Sequence, residues 1–165
     1  MTQSDADQLI DFYQLAQHIE GGFFREDFKS DVVLPGGVLG KEGPRSLITT
    51  CYYLLKRGDR SIFHRLASDE MWIFLKGGPV DFFEIDPCGR LHTSQLGPEV
   101  RLGQQLKHLV KKGHWFGVLP QASTEYAFFS AIVFPGFEYV DWEKGEKQHL
   151  KTLCSEAHTI IDRLT

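Results

Sequence analysis

The chain is poor in cysteine. Cys51, Cys88 and Cys154 are its only three in 165 residues. They are odd in number, widely spaced and without a C-x-x-C pair. This argues against a disulfide framework or a zinc ribbon and fits a reducing compartment. Long apolar runs are missing too, and none approaches the ~20 residues that cross a bilayer as a helix. The opening residues, MTQSDADQLIDF, have no basic stretch followed by an apolar one. No secretory signal is readable there, so a cytoplasmic protein without a membrane partner is expected. Basic charge is not in excess. Eighteen Lys and Arg stand against 22 Asp and Glu, for a net charge of −4. That balance argues against a phosphate-driven nucleic-acid binder. No G-x-S-x-G and no H-E-x-x-H occurs. The glycine-rich run ending at Gly40-Lys41 has Pro35 where a phosphate loop needs its first glycine, and Glu42 where it needs Ser or Thr.

What the chain does contain is core-forming material, at 42% hydrophobic residues against 24% charged, with 13 Phe and 3 Trp. A chain of this length buries about 70% of its unfolded surface and needs no metal or disulfide staple. Gly and Pro recur at short intervals, as at Gly21-Gly22, Gly77-Gly78-Pro79 and Pro135-Gly136. The runs between them are rich in aromatic and β-branched residues, the pattern of many short strands joined by turns. Candidate strands are 23–28, 46–55, 61–66, 71–75, 80–85, 90–95, 105–110, 114–118 and 126–134, which suits a sandwich or barrel. Ser4 followed by Asp7 reads as a helix start. At the far end Leu150, Leu153, Cys154, Ala157, Ile160, Ile161 and Leu164 fall at helical spacing. The expectation is one domain over 1–165. It has an N-terminal helix at about 5–18, a β-barrel at about 22–142 and a C-terminal helix at about 149–164.

The segment from Gly58 to Gly77 carries the chemistry. His64 and Leu66 share one face of one strand, and Glu70, Trp72 and Phe74 share one face of the next. If a hairpin closes across Ala67-Ser68-Asp69, His64 and Glu70 meet inside. A carboxylate beside an imidazole orients the ring and raises its pKa. Such a pair can bind a polar ligand, act as acid and base, or supply two metal ligands. Arg65 has the opposite pleat and is expected to point outward.

These spacings resemble the first motif of the cupin superfamily, G-x5-H-x-H-x3,4-E-x6-G. Gly58, His64, Glu70 and Gly77 match, and Leu66 stands at the second histidine. Lys111-Lys112-Gly113-His114-Trp115-Phe116 resembles the second motif, P-x-G-x2-H, with Lys111 in place of proline and Phe116 at the histidine. The segments His18–Glu26, Tyr52–Leu55, Leu96-Gly97-Pro98 and Pro135-Gly136-Phe137 further resemble the uncharacterised cupin-5 subfamily, over roughly residues 8–142. The resemblance implies a mainly β, jelly-roll cupin barrel with flanking helices, and a homodimer or higher homo-oligomer.

It further implies a small polar or anionic ligand in the barrel, such as a sugar nucleotide or a small acid. His64, Glu70 and Tyr52 are the candidate catalytic residues of an epimerase- or isomerase-like proton transfer. In that scheme His64 takes the proton, Glu70 sets its tautomer and Tyr52 is the acid. Trp72, Phe74, Trp115 and Phe116 are candidate ligand-lining residues, and Arg25 is a candidate anion clamp. No cofactor is expected. His64 and Glu70 alone would hold a divalent metal weakly, with His114 a poor third ligand. Two alternatives stand beside this reading: a metal-dependent oxygenase or isomerase, and a non-catalytic binding or interaction protein with a sealed barrel.

Overall fold

The structure, a computed structural model, describes residues 3–37, residue 40 and residues 43–165. Lys41 and Glu42, of the failed phosphate-loop match, lie outside the described residues. The chain is mainly β, with helices at both ends. Helix α1 (Asp5–Tyr13) begins where expected, with the Ser4 side chain accepting from the Asp7 amide. It ends earlier than the sequence pattern suggests. Gln14 takes a left-handed conformation, φ 52°, and the chain turns into a short strand β1 (Ala16–Gln17).

The remaining strands are β2 (Phe23–Lys29), β3 (Val33–Leu34), β4 (Arg45–Ser46), β5 (Thr49–Lys56), β6 (Ser61–Leu66), β7 (Asp69–Gly77), β8 (Val80–Ile85), β9 (Leu91–Leu96), β10 (Lys107–Val110), β11 (Trp115–Pro120), β12 (Tyr126–Phe134) and β13 (Trp142–Lys144). They form a six-stranded sheet, β1-β2-β5-β12-β7-β10, facing a five-stranded sheet, β13-β6-β11-β8-β9, while β3 and β4 pair with each other in a separate two-stranded sheet. The ladders between these strands are antiparallel, giving a jelly roll of two facing sheets. Strands β6 and β7 do not form the expected hairpin. His64 on β6 pairs with Phe116 and Lys144 in one sheet, and Glu70 on β7 pairs with Val110 and Val133 in the other. The short link at 67–68 therefore carries the chain from one sheet to its opposite. His64 and Glu70 sit on facing walls.

Three apolar layers hold the fold. Between the sheets lie Tyr53, Leu55, Trp72, Phe82, Phe116 and Phe129, buried to 3% exposure or less. Outside the six-stranded sheet, α1 covers Leu54, Tyr126 and Phe128, with Tyr13 and Tyr52 at the margin. Outside the five-stranded sheet, Phe63, Ile85 and Trp115 are covered by α2 (Lys147–Leu153) and α3 (His158–Leu164). The C-terminal stripe is thus real, but a 3-10 turn at Ser155–Ala157 divides it into two helices. At ~25 cal/mol per Å² of apolar surface, these buried aromatic layers are the main favourable term in folding. No described helix is long and apolar enough to cross a membrane.

Candidate functional site

A cavity opens between the sheets, floored by β5 and β12 and walled by β6 and β7. A strap from the N-terminal part of the chain, residues 18–22, closes one side. The strap is sewn to β6 by the Ile62 amide donating to the Glu20 carbonyl, 2.9 Å, and to β5 by the Tyr53 hydroxyl donating to the Gly21 carbonyl, 2.6 Å. Gly21 has φ +106°, and a side chain there would put its Cβ 2.0 Å from the Arg60 carbonyl oxygen. Only glycine lets the strap approach β6 this closely. That approach drives Glu20 into the interior.

His64 is 2% exposed. Its Nδ1 lies 2.8 Å from the Ile62 carbonyl oxygen. A carbonyl only accepts, so Nδ1 carries the hydrogen, and the neutral ring presents the Nε2 lone pair. Nε2 is 3.4 Å from Glu20 Oε1. Glu20 also accepts from Trp142 Nε1 at 2.6 Å and lies 3.4 Å from His18 Nδ1. Burial pushes the His64 pKa down, against the pull of Glu20. Burial alone would raise the Glu20 carboxyl. The neighbouring histidines and the Trp142 bond outweigh it, so Glu20 titrates below its ordinary value.

Glu70 is the opposite case. It is 7% exposed, and its Oε2 has no hydrogen-bond partner. Burial, and then the Glu20 charge, raise its pKa from 4.5 to about 8. It is a neutral acid at pH 7. Trp72 Nε1, also on the cavity wall, lacks a partner in hydrogen-bond geometry, though its N–H lies close enough to temper the Glu70 shift. The cavity thus holds an ionised and a neutral carboxyl within one network, a separation of roles that acid–base chemistry uses. Its interior admits water-sized molecules over about 70 Å³ and opens to solvent.

His64, Glu70 and Trp72 line this cavity, as does Leu66. Phe116 packs on the His64 ring at 4.1 Å, behind the wall. The other expected site residues lie elsewhere. Tyr52 points outward and stacks on Phe128 and Tyr13 beneath α1. Its neighbour Tyr53 faces the cavity instead, because successive strand residues take opposite faces. Arg25 is exposed and donates to the Tyr13 carbonyl and to Gln14 Oε1, so it cannot clamp a ligand in the barrel. Trp115 lies on the outer face under α2, with the Arg65 guanidinium 4.3 Å from its ring. Phe74 packs against Phe129 away from the cavity. His114 pairs with Glu84, a residue that also holds His108 at 3.0 Å. Glu70 does not set the His64 tautomer. The Ile62 carbonyl does, with Glu20 as the facing carboxylate.

The fold raises the question of a metal, and the donor set answers it. Leu66 and Phe116 offer no lone pair at two motif positions, and His114 is spent on Glu84. Among the described residues, no group of three or more His, Cys, Asp or Glu is arranged to hold an ion. The residues as placed do not fit a metal. Nor does Cys51, on the same wall, offer a nucleophile. Burial pushes its thiol pKa far up.

Two facing antiparallel sheets, with an imidazole and carboxyls turned into the space between them, define a protein of the cupin class. The chain belongs to the Cupin_5 family, described as "Cupin superfamily (DUF985)", which matches residues 7–145. It is 28% identical to the uncharacterised Saccharomyces cerevisiae protein YML079W, covering 88% of this chain and 78% of that one. Among solved structures, protein SO0799 of Shewanella oneidensis superimposes with a TM-score of 0.88 at 32% identity, over 99% of this chain and 98% of that one. A hypothetical protein from Leishmania major gives 0.87 at 28% identity, over 98% and 99%. Oxalate decarboxylase from Bacillus subtilis shares the fold at a TM-score of 0.56 and 15% identity, over 93% of this chain and 38% of that one.

Proposed function

We propose that the protein binds a small polar organic molecule in the barrel cavity and that the cavity is equipped for proton transfer on it. The observation that carries this reading is an imidazole that faces an acid with an unpartnered oxygen. The His64 Nε2 lone pair and the unpartnered Glu70 Oε2 turn toward one solvent-connected cavity from opposite sheets. Buried polar atoms without partners are costly, typically about 1–3 kcal/mol each. A bound molecule with matching donors and acceptors recovers that cost.

In an isomerase- or epimerase-like step, the proton on the carbon beside a ligand carbonyl passes to His64 Nε2. The Glu70 proton passes to the carbonyl oxygen, giving an enol. His64 Nε2 then returns its proton to carbon, at the neighbouring carbon or on the other face, and the Glu70 carboxylate takes a proton back from an enol hydroxyl, which restores a carbonyl and both protein groups. Glu20 stabilises the imidazolium that forms. The interior holds on the order of five waters, roughly 150 Å³ of liquid. That space suits a compact substrate of a few carbons and not a whole sugar nucleotide.

The test is a thermal-shift panel of small polyols, hydroxy-ketones, amines and acids on wild type and on His64→Ala. A true ligand raises the melting temperature of the wild type and leaves the variant unmoved. Circular dichroism confirms that the variant is folded, with His64→Gln as the second variant if it is not. A ligand that shifts wild type and both variants equally refutes the site.

A further inference from the structure

We infer that the barrel cavity selects an organic cation, a primary ammonium head group on a short apolar chain, over neutral or anionic molecules of the same size. This rests on the reading of the cavity as a ligand site and names the class of ligand.

The first ground is charge. The lining residues that carry negative charge are Glu20 and, at the rim, Glu26, while Glu70 is protonated at pH 7. Among the described residues, no Lys or Arg lines the cavity. The nearby guanidiniums are turned away: Arg25 toward Tyr13 and Gln14, and Arg65 toward Glu143 at 2.7 Å. An anion entering this space meets like charge with no counterion. A cation meets charge already paid for by the fold.

The second ground is hydrogen-bonding character. His64 Nε2 and Glu20 Oε1 are both acceptors, yet they stand 3.4 Å apart with no hydrogen of their own between them when the ring is neutral. Glu70, nine-tenths buried, has its Oε2 without a partner, and Trp72 Nε1 is an unpartnered donor on the same wall. The facing His64 Nε2 and Glu20 Oε1 call for donors on the ligand, and an ammonium group offers three.

The third ground is the apolar wall. Phe24, Tyr53, Trp72 and Phe137 line the same space. Aromatic rings attract a desolvated cation and bury the methylenes behind it. Together the three grounds describe an acidic, acceptor-rich, ring-lined socket.

The experiment is calorimetric titration of the full chain at pH 7 with n-butylammonium chloride, 1-butanol and sodium butyrate, which share chain length and differ in charge. The His64 ring resonances are followed by NMR to locate binding. The expected result is a dissociation constant for n-butylammonium about thirtyfold below that for 1-butanol, with the His64 signals moving, and no binding of butyrate. Glu26→Gln, at an exposed rim residue whose replacement leaves the core intact, should narrow that ratio. If 1-butanol or butyrate binds as tightly as the amine and moves His64, the cation assignment is overturned while the ligand site stands. If none of the three moves His64, the ligand-site reading falls with it.

Discussion

Replacing Glu70 by Gln tests the electrostatics of the cavity directly. In the unfolded chain a glutamic acid ionises near 4.5, and in the folded protein Glu70 holds its proton to about 8. Below pH 4.5 both states are protonated, and the group adds no pH-dependent term. Between 4.5 and 8 the unfolded chain gives up the proton and the native state does not. Folding is therefore progressively penalised as pH rises, and the penalty is complete above 8. At about 1.4 kcal/mol per pH unit, the full displacement amounts to on the order of 5 kcal/mol. Glutamine keeps the shape and does not titrate, so its own cost is constant. Urea unfolding of wild type and E70Q from pH 5 to pH 8.5 should therefore give curves that diverge. The variant should gain several kcal/mol on the wild type across that range. An infrared carboxylic-acid band present in the wild type at pH 7 and absent in E70Q identifies the proton. Parallel stability curves would refute the neutral carboxyl. A divergence of opposite sign would mean that Glu70 is ionised and paired in the native state.

Other expectations follow from the same geometry. Gly21→Ala should lower stability by several kcal/mol, since both the positive φ and the 2.0 Å approach to the Arg60 carbonyl oppose it; an unchanged urea midpoint would count against the strap as described. Arg45 and Asp141 form a buried two-point ion pair at 2.8 and 3.0 Å, tying β4 to the turn before β13. Arg45→Ala removes both of these bonds from a largely buried carboxylate and should lower the denaturant midpoint, by an amount on the order of a few kcal/mol. Trp142→Phe removes the 2.6 Å bond to Glu20, so the Glu20 carboxyl should titrate at higher pH in carbon-detected NMR; an unmoved titration would show that the indole does not hold it.

Much of the fold was legible because turn residues punctuate it. Strands β6, β8 and β12 fall on the runs read from the sequence, where Gly, Pro and the aromatic content agree. The faces of the strands were harder. Alternation marks a buried side only when the other side meets water, and β5 has apolar cover on both. Tyr53 and Leu55 enter the core, while Leu54 and Tyr52 lie under or beside α1. Nothing in Tyr52-Tyr53-Leu54-Leu55 says which tyrosine turns inward: Tyr52, the candidate acid, turns outward, and Tyr53 turns inward with its hydroxyl bonded to the Gly21 carbonyl. Arg25 failed for a related reason. Its strand has its open side toward solvent, and the guanidinium is used up on the end of α1. Glu20 was missed because its partners, His64 and Trp142, are distant in sequence. The available signal was an acid between His18 and two glycines, a place where the backbone can press a carboxylate against a neighbouring strand.

The departures from the cupin motif bear on the chemistry of what remains. At the second histidine position Leu66 now lines the cavity beside Glu70, and at the last one Phe116 packs on His64. Each change removes a lone pair and replaces it with hydrocarbon. The loss of donors leaves the set unfit for an ion. The gain in hydrocarbon removes water from the carboxyl and the imidazole. Desolvation disfavours the charged form of both groups, raising the acid and lowering the base, and burial is the leading cause of the shift for Glu70 and for His64 alike. Leu66 and Phe116 are thus part of the apolar surroundings of this acid and this base. This makes Leu66→His an informative reversal. A polar ring beside Glu70 should bring its pKa down from about 8 toward the ordinary carboxyl range, flattening the fall in stability between pH 5 and pH 8. If the pH dependence of L66H matches that of the wild type, the apolar wall is not what holds the Glu70 proton, and the charge of Glu20 must carry the shift alone.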